Sequence, residues 1–225
     1  HLSITHGFNA RMIINEFWLL CIGVFIAYVL NMFQDYRGME KDLNDKVLHT
    51  ETVFSHLLLE VVRYMEEMPE HTEIWSAMGE MEAELFGYVN DALHFQENRL
   101  PVRDCWHAHY FAMREQQLTV VHALHYQLRQ IRSMPEQSVI IREFIQELAT
   151  AVPGRTVPQE QTKMLEEIFR HMSRQPLPRI RQEFESRAIL YHVLYDLKSY
   201  LKYKQDFVSA LSDQQLREFA AVKVV

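Results

Sequence analysis

From Leu43 onward, Leu43, Val47, Thr50, Phe54, Leu57, Val61, Tyr64 and Met68 recur four and three apart, with charged residues between them. At 3.6 residues per turn that spacing lines one helical face, whereas on a strand it would scatter over both. It therefore demands a long helix whose seam other helices must cover. Ile74, Met78, Met81, Leu85, Tyr88, Ala92 and Phe95 repeat the spacing after a break around Pro69, and predict a second helix antiparallel to the first. The methionines in both seams read as packed core rather than a ligand groove, because the flexible thioether fills irregular gaps. Composition agrees: 6 Gly and 7 Pro are too few for the turns of an all-β or Gly-rich phosphate-binding fold, while good helix formers abound.

A third long helix is expected over about 102–131, behind Pro101, whose φ is preset for a helix start. Ser133 with Glu136 and Thr156 with Gln159 are spaced as capping boxes, opening helices over 135–150 and 159–173 around a PGRTVP loop. Pro176 and Pro178 break the chain. A final long helix over 179–204 carries Leu190, Leu194, Leu197 and Leu201 in its apolar stripe, and a short helix over 211–220 follows the Ser212 cap.

Nearer the start, no side chain from 17 to 33 is charged and only Asn31 is strongly polar; with 12–14 added, the run reaches the roughly 20 residues of a bilayer-spanning helix. Arg37, Lys41 and Lys46 follow it while only Arg11 precedes it, which places the C-terminal side in the cytoplasm. At 100° per residue, Glu16, Leu20, Gly23, Ala27 and Asn31 share one stripe. Gly23 and Ala27 would let another helix approach closely, and lipid is a costly neighbour for Glu16 or Asn31. The stripe is read as the packing face for upstream transmembrane helices of the same chain. Glu16, with Asn15 and Asn31, would lie on a substrate or proton path, or Glu16 would snorkel to the headgroups. The chain, which begins at His1 without a signal-peptide pattern, reads as a piece of a longer protein.

Thirty acidic against 23 basic residues, a formal charge of −7, argue against a nucleic-acid partner. Cys21 and Cys105 have no CxxC spacing, so neither a disulfide scaffold nor a structural zinc site is indicated. Among 12 histidines the densest group is His107, His109, His122 and His125, with Glu143, Glu147, Glu167 and His171 further on. Glu-x-x-His, which a di-metal bundle site needs, does not occur, and Glu167 with His171 is an ordinary i,i+4 pair, so no metal is expected. GxSxG, P-loop, GxGxxG and HExxH patterns are absent, so neither catalysis nor a cofactor is expected. Arg179/Glu183, Arg181/Glu185 and Glu183/Arg187 are i,i+4 pairs that read as a solvated helix start or as a docking surface.

The pattern resembles the C-terminal part of the bacterial aromatic acid exporter family, related to the fusaric-acid-resistance type transporters. The resemblance rests on Asn15-Glu16, Gly23, Ala27 and Asn31; on Asn98-Arg99; and on Tyr110-Phe111-Ala112-Met113-Arg114 with Gln116-Gln117. Its most specific stretch is Pro176-Leu177-Pro178 leading into Arg181-Gln182-Glu183-Phe184-Glu185-Ser186-Arg187-Ala188, followed by Tyr200-Leu201. Ile180 stands where a Thr is expected before Arg181, which leaves Pro178 to set that helix start. The resemblance implies a multi-helix membrane domain followed by a cytoplasmic helical domain.

The expected fold is all-α, with one transmembrane helix followed by a cytoplasmic antiparallel bundle of long helices. Residues 1–33 would end the membrane domain, 34–204 form the cytoplasmic domain and 205–225 the tail. The expected function is export of small organic, aromatic acid-like anions across the cell membrane by a homo-oligomer, the helical domain serving assembly or regulation. The alternative is a membrane-tethered or soluble helical module that binds a protein partner and transports nothing.

Overall fold

The structure, a computed structural model of the chain, describes residues 10–32, 36–68, 74–98 and 105–222. Among them are the helices α1 (Ala10–Met32), α2 (Tyr36–Glu67), α3 (Ile74–Asn98), α4 (Trp106–Leu128), α5 (Ser138–Ala151), α6 (Gln159–Ser173), α7 (Arg181–Ala210) and α8 (Asp213–Ala221), and no strand. The chain divides into two compact units, 1–39 and 40–225.

In the first unit, α1 is one uninterrupted helix, so the stripe from Glu16 through Gly23 and Ala27 runs along a single face. Its side chains are described over 13–29, and Phe17, Trp18, Leu20, Val24 and Phe25 are all exposed. The Asn31 side chain and Phe33 lie outside the described residues. Among the described residues no helix is long and apolar enough to cross a membrane, so this portion by itself does not supply the span expected over 12–33.

In the second unit the seams pack largely as their periodicity requires, although Tyr88 is only half-buried and Met68, also half-buried, falls just past the end of α2. Leu43, Val47, Thr50, Phe54, Leu57, Val61 and Tyr64 are buried along α2, and Met78, Met81, Leu85, Ala92 and Phe95 along α3. Lys46 bonds Asp91 and His49 bonds Glu84, so the partners fall along α3 as they rise along α2, and the two helices are antiparallel. Against α4 the order reverses: Asn44 meets His107, Glu51 meets Tyr110 and Tyr64 meets His125, so α2 and α4 are parallel. Helix α7 is antiparallel to α4, since Tyr110 packs on Phe207, Gln117 reaches Tyr200 and Gln127 reaches Asp196. The four long helices thus alternate in direction, a common bundle arrangement. Helix α5 lies along α2, with Ser55 donating to the Ala149 carbonyl and Arg142 meeting Glu66.

Several helix boundaries differ from expectation. Cys105 is extended, at φ −107° and ψ 120°, and caps α4, so the helix starts at Trp106 rather than behind Pro101. Its end tightens into i→i−3 bonds at Gln130 and Ile131, which closes the helix at Leu128. Ser133 caps nothing: Gln137 is the N-cap of α5, and the first amide of that helix, at Ser138, donates to the Pro135 carbonyl. Thr156 also fails as a cap, because Pro158 precedes α6, although that helix has the expected bounds. The capping box that does form is the one at Ser212, whose hydroxyl accepts from the Gln215 amide while Gln215 Oε1 accepts from Ser212. Helix α7 continues to Ala210, beyond the expected end, because Phe207 and Val208 extend its buried face past Lys204.

Candidate functional site

The most heavily buried charges of the bundle converge on one place. Glu51 sits on the buried face of α2 at helical spacing from Val47 and Phe54, and Tyr110, Arg114 and Gln117 occupy successive turns of α4. Tyr200 and Lys204 come from α7, and Arg155 from the α5–α6 loop. Glu51, Arg114 and Lys204 are 2%, 1% and 7% exposed, and charges at that depth are costly unless paired and hydrogen-bonded.

Glu51 is gripped by Arg155, whose Nη1 meets Oε1 and whose Nη2 donates to Oε2 at 3.0 Å; the Tyr110 hydroxyl donates to Oε1 at 3.3 Å. A two-point guanidinium–carboxylate pair is the geometry that repays desolvation best. Arg114 lies 3.9 Å from the same carboxylate and gives its hydrogen bonds to neutral acceptors instead: Nε to Tyr110 Oη, Nη1 to Gln117 Oε1 and Nη2 to the Val152 carbonyl. Its guanidinium also lies 5.1 Å from the ring centroids of Phe54 and Tyr110, and that of Arg155 lies 4.9 Å from Phe219. Lys204 Nζ donates to the carbonyls of Ala151 and Val152 at 3.1 and 3.3 Å. These are end groups of α5, where a cation complements the helix dipole.

Within this cluster three cations face one buried carboxylate. Burial, with Arg114 and Arg155 nearby, outweighs Glu51 and lowers the Lys204 pKa from 10.5 to about 7. Burial raises the Tyr110 and Tyr200 phenols above their usual range, so both remain protonated donors. The Tyr200 hydroxyl is buried and has no hydrogen bond of normal geometry among the described residues, although Arg114 lies close enough to donate to its oxygen. Beside the cluster opens a cavity of about 830 Å³, lined by Arg114, Arg155, Tyr200 and Lys204 together with Leu148, Val157, Pro158, Leu201, Val208 and Leu216.

Of the residues singled out in the sequence, Tyr110, Arg114, Gln117 and Tyr200 belong to this cluster, whereas Glu51, Arg155 and Lys204 are not among those residues. Arg181 and Glu185 form an exposed ion pair at 2.7 Å, and Phe184 is exposed. Glu183 accepts from Arg187 at 2.5 Å and, from the third position of α7, from the backbone N–H of Arg179. Ile180, as N-cap, supplies no side-chain bond, and the Glu183 bond to Arg179 ties down the residue before the cap rather than a helix amide. Arg187 also donates to the Pro176 carbonyl at 2.6 Å and holds the segment containing Pro178 against α7. Glu16, Asn15, Gly23 and Ala27 lie on α1, in the other unit.

The histidines are dispersed. His107 bonds Asn44 and stacks on Trp106, His125 packs edge-on to Tyr64, and His109 is exposed. Burial, with Arg129 and His122 nearby, lowers the His125 pKa to about 4, so it is neutral at pH 7. Among the described residues no group of three or more His, Cys, Asp or Glu side chains could hold a metal ion.

A bundle of long alternating helices tied through a buried ionic cluster defines the chain as a helical domain preceded by a separate apolar helix. Residues 40–205 match the family described as "Putative aromatic acid exporter C-terminal domain", and the chain belongs to that family. The match starts where the second unit does. The chain is 27% identical over 226 residues to "Uncharacterized protein YqjA" of Bacillus subtilis (strain 168), covering 96% of this chain and 66% of that protein's length. The fold is shared, at a TM-score of 0.63 and 18% identity, with the structure titled "Crystal structure of putative membrane protein from Clostridium difficile 630", over 76% of this chain and 98% of that one.

Proposed function

We propose that this chain is the C-terminal part of a cell-membrane exporter of small organic, aromatic acid-like anions. On this reading α1 is the last membrane helix, and the bundle from residue 40 lies in the cytoplasm and serves assembly or regulation. The observation that carries the proposal is the family match over 40–205, preceded by a helix whose described apolar side chains stand exposed. Water is a poor solvent for such a helix, and lipid or neighbouring membrane helices would cover it. Gly23 and Ala27 suit close helix packing within a homo-oligomer or against upstream helices, and Glu16 with Asn15 and Asn31 suits a polar path.

The test is efflux from cells carrying the complete protein. Energised cells should expel benzoate faster than cells lacking the protein, the protein should stay with the membrane after a carbonate wash, and Glu16→Gln should assemble normally but lose proton-coupled efflux. Release of the protein by carbonate, with benzoate efflux equal in both strains, would overturn the reading in favour of a helical interaction module.

A further inference from the structure

The cavity beside Lys204 is larger than capping α5 requires, and its wall holds hydrogen-bond capacity that the protein does not use. An ammonium has three N–H donors, and the Ala151 and Val152 carbonyls take two of them. Tyr200 lines the same cavity, and its buried hydroxyl has Arg114 close enough to donate to it but finds no acceptor of normal geometry for its own proton among the described residues. Behind them stands Arg114, whose acceptors are neutral, while Arg155 is occupied by Glu51 and the Val222 carbonyl. The charge that Glu51 leaves uncompensated is therefore concentrated on the Arg114 and Lys204 side.

We propose that this cavity binds a small monocarboxylate with an apolar body, its carboxylate accepting from Lys204 Nζ and Tyr200 Oη. Two donors match the two oxygens of a carboxylate, whereas a phosphate has more acceptors than they satisfy. The apolar body follows from the rest of the lining, where Leu148, Val157, Leu201, Val208 and Leu216 supply no hydrogen bonds from their side chains. The volume is within the range of small-ligand pockets, and exposed Gln159 and Glu160 at its edge give it a route to solvent. Binding here stands whether or not the protein exports anything.

Binding should be tied to the Lys204 proton. The charged and titratable groups around it are Arg114 and Tyr110 from α4, Glu51 from α2, Arg155 from the loop, Glu160 from α6 and Tyr200 from α7. Of these, Glu51 favours the ammonium and the two guanidiniums oppose it. A carboxylate in the cavity adds a second favourable charge, so it binds with uptake of a proton wherever Lys204 is neutral.

The experiment is calorimetric titration of the full chain in mild detergent with hexanoate, and with hexanol and hexylammonium as controls, at about pH 6 and about pH 8.5. Hexanoate should saturate one site per chain at the lower pH and bind about tenfold or more weakly at the higher one, and neither control should bind. Lys204→Met should weaken hexanoate by about tenfold or more, as loss of a charge-assisted hydrogen bond does. Tyr200→Phe, which removes only a hydroxyl, should weaken it by about threefold or more while the chain keeps its melting temperature. No saturable hexanoate binding at the lower pH, or binding unchanged by Tyr200→Phe, would overturn the proposal. Equal binding of hexanol would also overturn it, by showing an apolar pocket without an anion site.

Discussion

Lys204 should make the stability of the bundle depend on pH in a way that one substitution abolishes. In the unfolded chain this lysine titrates near 10.5, and in the fold near 7, because burial beside Arg114 and Arg155 disfavours its charge. Between those values the unfolded state binds more protons, so stability rises with pH; below about 7 the penalty is at full size. At about 1.4 kcal/mol per pH unit the gap corresponds to a limit of about 5 kcal/mol. Linkage over pH 6 to 9 recovers about 2–3 kcal/mol of it, which for a domain of this size is about 5–10 °C in Tm. Lys204→Met should flatten that rise. The substitution also strips hydrogen bonds from the Ala151 and Val152 carbonyls, at about 1–3 kcal/mol, but this cost does not vary with pH and leaves the slope as the diagnostic. Thermal melts followed by circular dichroism at several pH values, on wild type and variant, make the measurement. Parallel Tm profiles for the two proteins would refute the reasoning and mean that Lys204 stays protonated in the fold.

Three further outcomes follow from the geometry. Glu51→Gln leaves Arg155 and Arg114 without their carboxylate and should cost about 3 kcal/mol or more by chemical denaturation; because Glu51 also supports the Lys204 charge, the rise of stability with pH should begin at a lower pH. Met68 follows α2 at φ 46°, a left-handed conformation that glycine adopts without strain, so Met68→Gly should raise stability by about 0.5–1 kcal/mol, and a loss would show that the Met68 side chain contributes more than its backbone costs. On α1, Gly23→Leu should disrupt assembly of the complete protein while Phe25→Leu on the opposite face is tolerated, with cross-linking in membranes as the readout; equal effects would reject the assigned packing face.

What the sequence determined by itself is the part of the fold that is periodic. The four-three seams of α2 and α3, the stripe of α7, the bounds of α6 and the cap at Ser212 were legible because helix repeat and N-cap chemistry act between residues a few positions apart. The same local rules misled where the backbone chose another start: Ser133 and Thr156 have capping spacing, yet Gln137 and Pro158 stand at the helix ends, and an extended Cys105 opens α4. The buried cluster left only partial traces. Glu51 falls at apolar spacing between Val47 and Phe54, Arg114 and Gln117 follow Tyr110 by four and seven residues, and Lys204 continues the leucine stripe of α7, where a charge reads as the stripe's end. Nothing local marks Arg155, in a loop, as the partner of a carboxylate 104 residues away. Which charges pair, which carbonyls they satisfy and how far a lysine's proton is weakened depend on distances and desolvation, and these exist only once α2, α4, α7 and the α5–α6 loop have closed around one point.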